Sequence, residues 1–232
     1  MLLVARDEAR LAALAAELSK AHGTSARVMP ADLARPGAAE ELFRRVEAGQ
    51  LTVDVLVNNA GFGTYGPFAG TDPAKELAML QLNIVALTML TRLFLPGMLA
   101  RKSGGILNVA STAAFQPGPL MSVYYASKAF VVSFSEALSN EVAGSGVQVT
   151  ALCPGPTRTE FQARAGIGET RMMSGRIMDA RTAALAGCRG LAEGRALVIP
   201  GFRNKLLATV ARWMPRSVVL RAVRHIQEHR SA

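Results

Sequence analysis

Three short apolar runs, each stopping at a polar or Gly/Pro motif, constrain the fold of this chain more than any other feature. Val53-Asp54-Val55-Leu56-Val57 leads into Asn58-Asn59-Ala60-Gly61, and Gly104-Gly105-Ile106-Leu107-Asn108-Val109-Ala110 delivers Ser111. Val147-Gln148-Val149-Thr150-Ala151-Leu152 runs into Cys153-Pro154-Gly155-Pro156-Thr157-Arg158-Thr159. Short, nearly continuous apolar runs of this kind read as strands buried on both faces of a parallel sheet. Further strands are expected near residues 2–5, 26–30 and 195–199, with helices between them, Glu8 to Ala21 and Ser122 to Val142 among them. That alternation predicts one α/β domain with a doubly wound parallel sheet. Open sheets of this type keep their sites at the carboxyl ends of the strands, where the three motifs stand.

Inside the helix expected from Ser122, Tyr124 and Lys128 stand four residues apart, thirteen residues after Ser111. An i,i+4 spacing puts phenol and ammonium on one helix face. A fixed positive charge there favours the phenolate and lowers a pKa otherwise near 10. Such a tyrosine can exchange a proton with a carbonyl or alcohol oxygen.

NNAG, Asn83 in a long helix, Ser111, Tyr124-x-x-x-Lys128 and Pro154-Gly155-Pro156-Thr157-Arg158-Thr159 follow one another in the order and spacing of the short-chain dehydrogenase/reductase family. The chain resembles that family up to about Gly201, and the resemblance implies a Rossmann-like sheet and a reaction between a ketone or aldehyde and an alcohol. It implies that Tyr124 is the general acid or base, that Ser111 hydrogen-bonds the reacting oxygen, and that Asn83 holds a water in a proton relay. Lys128 would lower the tyrosine pKa and bind the ribose. Asn58, Ala60 and Gly61 would lie along the adenosine half of a nicotinamide nucleotide. Asp32 and Leu33 would meet the adenine edge, and Pro154, Gly155, Thr157 and Thr159 the nicotinamide end. The plainer alternatives stand beside these roles: Ser111 as a strand-end cap, Asn83 as a satisfied core amide, and Asp32 as a turn aspartate. Tyr125 reads as packing.

The resemblance also has a gap. Family members open with a strand, a Gly-rich turn and a helix whose N-terminus receives the pyrophosphate. Met1 to Asp7 look like the family's second strand instead, so the sheet is expected to be N-terminally truncated by about 30 to 40 residues, one strand–turn–helix unit. It should then lack a strand between its first and third. The catalytic set predicts an oxidoreductase even so; the alternative is a non-catalytic binding or dimerisation protein. Arg6, at the end of the first strand, favours a 2′-phosphate and so NADP(H) over NAD(H), with Asp7 beside it or a merely solvated arginine as the counter-reading.

The net charge of +9 invites a nucleic-acid reading, which position opposes: residues 201–232 hold seven Lys and Arg against one Glu, and no stacking platform or reading motif accompanies them. We divide the chain into a Rossmann-type part, 1–200, and a basic tail, 201–232, in the same domain or appended. The tail is expected as two helices broken at Pro215, with an apolar stripe through Leu206, Val210, Trp213, Val219, Val223 and Ile226. It either lies on a membrane surface or docks over the substrate cleft or a partner subunit. No signal peptide is visible, and Cys153 and Cys188 are too few for a disulfide framework or a metal site. Both cysteines read as core thiols in a cytoplasmic enzyme. The stretch Leu77 to Ala100, interrupted by Gln81, Asn83, Arg92 and Pro96, reads as a helix buried against the sheet, and the family resemblance implies a second subunit of a homo-oligomer on its other side. Phe161, Ile167, Met172, Met173 and Met178 among glycines predict a lid for a bulky apolar carbonyl substrate, and the chain's resemblance to family reductases implies a ketoacyl, steroid or other lipophilic ketone.

Overall fold

The computed structural model describes residues 1–167 and 177–228. In chain order the elements are β1 (Leu2–Leu3), α1 (Glu8–His22), β2 (Arg27–Val28), α2 (Ala38–Ala48), β3 (Val55–Asn58), α3 (Pro73–Leu80), α4 (Leu87–Arg101) and β4 (Gly104–Val109). They continue with α5 (Ser122–Glu141), β5 (Val147–Leu152), β6 (Thr157–Arg158), α6 (Phe161–Ala165), β7 (Met178–Asp179), α7 (Ala180–Ala192), β8 (Leu197–Val198), α8 (Phe202–Trp213) and α9 (Arg216–Gln227). Side-chain caps start several of the helices. Asp7 accepts from the Arg10 amide at α1, Asp72 from Ala74 at α3, where Pro73 is the first helical residue, and Asp179 from Thr182 at α7.

Every strand pairing is parallel. The main sheet runs β3-β4-β5-β8, with Val55 opposite Gly105 and Ile106 opposite Val149. Met98, Leu138 and Val142 from α4 and α5 pack with Ile106 and Val149 in one cluster, while Leu191 of α7 packs with Leu107, Leu152 and Val198 in another. The sheet is therefore wound on both faces, as expected.

β1 and β2 form a separate two-stranded sheet, and no described strand lies between β1 and β3. The expected break is there. Its cost shows in β3, where Val55 is 54 % and Val57 51 % exposed. The β1–β2 unit is joined to the rest by α2, whose Ala39, Leu42 and Val46 cluster with Leu90 of α4 and with Leu2, Val4 and Met29.

Three expectations need correction. The helix from Pro73 to Arg101 is not uniform, because Gln81–Ala86 winds as a π segment between α3 and α4. It is long and apolar enough to cross a membrane, yet it places Met79, Asn83, Leu90 and Met98 in the interior of the fold. Met178 lies in β7, paired with Thr157, and not in a loop. Cys153 is buried, but Cys188 is exposed on α7 because the face of that helix meeting the sheet is filled by Ala183, Gly187 and Gly190. Met172 and Met173 lie outside the described residues.

Candidate active site

β4 ends at Val109, and the chain turns at Ser111, whose side chain accepts from the Ala113 amide at 3.1 Å and so caps the short turn Thr112–Phe115. The capping reading is thus correct, and the same hydroxyl also acts on the Tyr124 phenol, lowering its pKa. α5 brings that phenol to the end of β4, with Tyr124 9 % and Lys128 6 % exposed. The Lys128 ammonium donates to the Val109 carbonyl at 2.8 Å and lies 5.9 Å from the centroid of the Tyr124 ring.

The electrostatics depart from expectation. Burial pushes the Tyr124 phenol above its usual value, and the Ser111 hydrogen bond offsets only part of that. In the resting site the Lys128 ammonium is held on the Val109 carbonyl and stands over the ring. Lys128 itself is lowered to about 8 by burial, with the neighbouring Cys153 acting the other way. The resting site therefore holds a protonated phenol and an ammonium ion that titrates just above neutrality.

Asn83 sits inside the π segment, a kind of irregularity that recurs at functional sites. It is 1 % exposed. Its Nδ2 donates to the Phe62 carbonyl at 3.0 Å and to Ser127 Oγ at 3.1 Å, and its Oδ1 accepts from the Phe62 amide at 3.2 Å. The amide thus clamps the loop after NNAG onto α5, and Ser127, which sequence reasoning missed, closes the chain by donating to the Tyr124 carbonyl at 2.7 Å. Gly61 makes the clamp possible. A Cβ there would stand 3.0 Å from Asn83 Oδ1 and 3.4 Å from Lys128 Nζ.

The other expected cofactor residues sort unevenly. Ala60, Gly61, Pro154, Gly155, Thr157 and Thr159 line the same cleft as Tyr124 and Lys128. Asn58 also borders it, but its side chain turns inward, donating to Asn108 Oδ1 at 2.8 Å and to Thr91 Oγ1 at 3.1 Å, so it ties β3 to β4 and α4. Asp32 accepts from the Ala34 amide at 3.1 Å, the turn role, while facing the cleft beside Leu33. Arg6 is exposed at the cleft and makes no ion pair among the described residues. Across the mouth, Arg10 of α1 makes a two-pronged ion pair with Glu160.

The cleft is continuous, about 3160 Å³. That is several times a usual ligand pocket of about 300–1,000 Å³, because it merges the strand-end groove with the open slot between β1 and β3. Beyond Tyr124 its wall is largely apolar, with Met121, Tyr125, Ile167, Val219 and Val223 in one cluster. Tyr125 packs, as expected. It is buried, its phenol is pushed up to about 12 by that burial, and it accepts from Gln227 Nε2 at 2.6 Å.

Parallel strands covered on both faces, with serine, tyrosine and lysine gathered at their carboxyl ends, define a Rossmann-like α/β protein whose site is the strand-end cleft. A family model described as short chain dehydrogenase matches residues 1–169, and the chain belongs to that family. It is 37 % identical over 158 residues to a very-long-chain 3-oxoacyl-CoA reductase of Anas platyrhynchos, covering 66 % of this chain and 50 % of that protein. The chain spans about half the length of the curated relatives it matches. Among solved structures it is similar to a short-chain dehydrogenase from Sphingobium yanoikuyae in complex with NADPH, with TM-score 0.79, 32 % identity, and 91 % of this chain and 84 % of that one covered. A 7beta-hydroxysteroid dehydrogenase structure aligns with TM-score 0.85 at 25 % identity, over 96 % of this chain and 86 % of that one.

Proposed function

We propose that the chain is an NADP(H)-dependent oxidoreductase that interconverts a lipophilic ketone or aldehyde and its alcohol. The observation that carries this reading is the convergence of Ser111, the buried Tyr124 phenol and, one helical turn on, Lys128 on one wall of the cleft at the end of β4. A carbonyl oxygen placed there accepts from both hydroxyls. As it gains negative charge, Tyr124 gives up its proton, and the Lys128 ammonium stabilises the phenolate that forms. Asn83 and Ser127 hold the loop and helix in register for this exchange. In the reverse direction the phenolate takes the proton from the alcohol.

The cleft fits a nicotinamide nucleotide at two ends. Gly61 leaves room for close approach beside Lys128, and Arg6 stands unpaired among the described residues where a 2′-phosphate would lie. Asp7, the carboxylate that would favour a free 2′-hydroxyl, is engaged as the α1 cap. Lys128 would hold the ribose, Thr157 and Thr159 the carboxamide, and Asp32 and Leu33 the adenine. The bound group supplies or accepts the hydride. The names of relatives acting on 3-oxoacyl-CoA and hydroxysteroids support the lipophilic substrate. We further propose a cytoplasmic homo-oligomer with the basic tail at a membrane surface; exposed Leu77, Val85 and Leu99 on the helix from Pro73 to Arg101, and Phe130 on α5, support the association of copies.

Titration with NADPH and NADH followed by fluorescence, then turnover with methyl ketones of increasing chain length, tests the reading. NADPH should bind at least about tenfold tighter, with the margin lost in Arg6→Glu, since a lost charge-assisted contact is worth about 1.5–3 kcal/mol. Absence of binding by either nucleotide would overturn the enzyme in favour of the non-catalytic alternative.

A further inference from the structure

The two tail helices meet the body of the protein differently. α9 is docked: Val219 and Val223 join the cluster around Tyr124, and Gln227 is 1 % exposed, with its carbonyl accepting from the Tyr65 hydroxyl at 2.6 Å. The expected single stripe is therefore divided, because α9 turns its apolar side inward. α8 touches the body along one side only, through buried Ala208, half-buried Ala211 and Asn204, whose amide packs where a Cβ on Gly155 would stand. At about 100° per residue, Phe202, Leu206, Val210 and Trp213 fall opposite Ala208. They are 80 %, 50 %, 40 % and 86 % exposed. Arg203 and Lys205 flank that row on its two sides, whereas Arg212 turns back to lie 4.9 Å over the Phe115 ring.

The row does not stop at the helix. Leu207, Val210, Met214 and Ile226 are 65 %, 40 %, 40 % and 44 % exposed, and the same four residues line the cleft. An unpartnered apolar face thus runs without a break into the rim of the proposed substrate site. Charge says what covers it. Seven Lys and Arg face one Glu in residues 201–232, and that Glu228 is already paired with Arg224 at 3.0 Å. A second copy packed face to face would oppose cations with cations. An anionic bilayer complements the cations and the apolar row at once.

We propose that α8 is a membrane-docking helix and that the cleft opens toward the bilayer, so that a lipophilic substrate enters from the acyl region. Phe202, Leu206 and Trp213 insert at the interface, and Arg203, Lys205 and Arg216 lie among anionic headgroups. The portal half of this inference rests on the reading of the cleft as a site for a lipophilic ketone; the docking half does not.

Trp213 is the sole tryptophan, so its emission reports this surface alone. The full chain is titrated with phosphatidylcholine vesicles, with and without phosphatidylserine, and with brominated lipid as quencher. The expected result is a blue shift and quenching with the anionic vesicles only, reversed by high salt. Phe202→Ser with Leu206→Ser, neither residue lining the cleft, should weaken vesicle binding at least about tenfold, since both positions lose apolar side chains that insert at the interface. That variant should keep turnover of a short water-soluble ketone and lose it on a long-chain ketone dissolved in the vesicles. An unchanged emission, an equal response to neutral vesicles, or a blue shift that grows with protein concentration in the absence of lipid would overturn docking, the last in favour of a second copy. Equal turnover of both ketones by the variant would overturn the portal. Absence of all turnover would count against the oxidoreductase reading, while the emission still decides docking.

Discussion

β3 and β4 are neighbours in one sheet and β3 is, if anything, the more apolar in sequence, yet β4 is covered and β3 is not. β4 has β3 on one side and β5 on the other, and four of its six residues are buried. β3 has a neighbour on one side only, and two of its valines are about half exposed. A parallel strand is buried by what lies beside and over it, so an apolar sequence alone does not secure burial. The contrast extends to the two walls of the cleft. On the β4–β5–α5 wall, Ser111 and Lys128 are tied by hydrogen bonds to Ala113 and Val109, and Asn83 of the adjoining π segment is tied through Ser127 to the Tyr124 backbone. The opposite wall, made by β1, β2 and α1, depends on two-residue strands, the α2 cluster, and the exposed Arg10–Glu160 pair.

Amide exchange offers the largest test of this asymmetry. The amides of Ile106 and Val149 should exchange through global unfolding, whereas those of Arg27 and Met29, bonded to Met1 and Leu3, should exchange at least about 10³-fold faster through local opening. Comparable protection on both walls would break the comparison.

Next in size is Tyr124→Phe on the buried wall, which removes the proton donor and should reduce turnover by about 10² or more with little change in nucleotide affinity. Turnover retained in that variant would remove the catalytic assignment.

Lys128 sharpens the same wall by its pH response. Its ammonium is present below about 8, so reduction should decline by about tenfold per pH unit above that value as support for the phenolate is lost. The sign for stability is opposite. A lysine whose folded value lies below its unfolded value of 10.5 burdens the fold with a desolvated charge at all pH below about 8, and the burden lifts as pH rises toward 10.5. Lys128→Met should therefore stabilise the protein by about 1–2 kcal/mol in denaturant unfolding at neutral pH while abolishing turnover.

The smallest effect belongs to the exposed wall. Glu160 is held down at about 2 by Arg10, first through their hydrogen bond and then through its charge, and both side chains are more than half exposed. Glu160→Gln should leave the unfolding midpoint within experimental scatter, because solvent screens such pairs. In the wild type, the pair's small contribution is present above the ordinary carboxylate value near 4.5 and is lost only as pH falls through about 2. A clear drop in the midpoint would mean that this ion pair, and not the α2 cluster, holds the β1–β2 wall in place.

Much of the β4–β5–α5 wall was legible because it is written in short-range spacing. Ser122 begins α5 as expected, four residues separate the tyrosine from the lysine, and the serine follows a buried run. The break in the sheet was legible too, since no apolar run is available to fill it. Tail helices divided at Pro215 followed from one residue that cannot continue a helix. The π segment around Asn83 was not legible: its residues have ordinary helical periodicity, and the extra residue per turn arises where the Asn83 amide reaches the Phe62 backbone across twenty-one positions of chain. Asn58 reads as a cleft residue by motif but spans to Asn108, fifty positions away, and only their pairing across adjacent strands turns it inward.

By itself, then, the sequence determined which residues share a face: Tyr124 with Lys128 on α5, Leu206 with Val210 and Trp213 on α8, and Val219 with Val223 on α9. Only the tertiary structure decided where each face points. α9 turns its stripe onto Tyr124 and Tyr125, α8 turns its own to the outside, and the Lys128 ammonium settles on a carbonyl of β4 and not on the phenol. Periodicity is a property of one helix, set by backbone geometry along a few neighbouring residues. Orientation depends on which other surfaces remain unfilled once the sheet, the glycines at close approaches and the buried hydrogen bonds have taken their places, and those come from segments far apart in the chain.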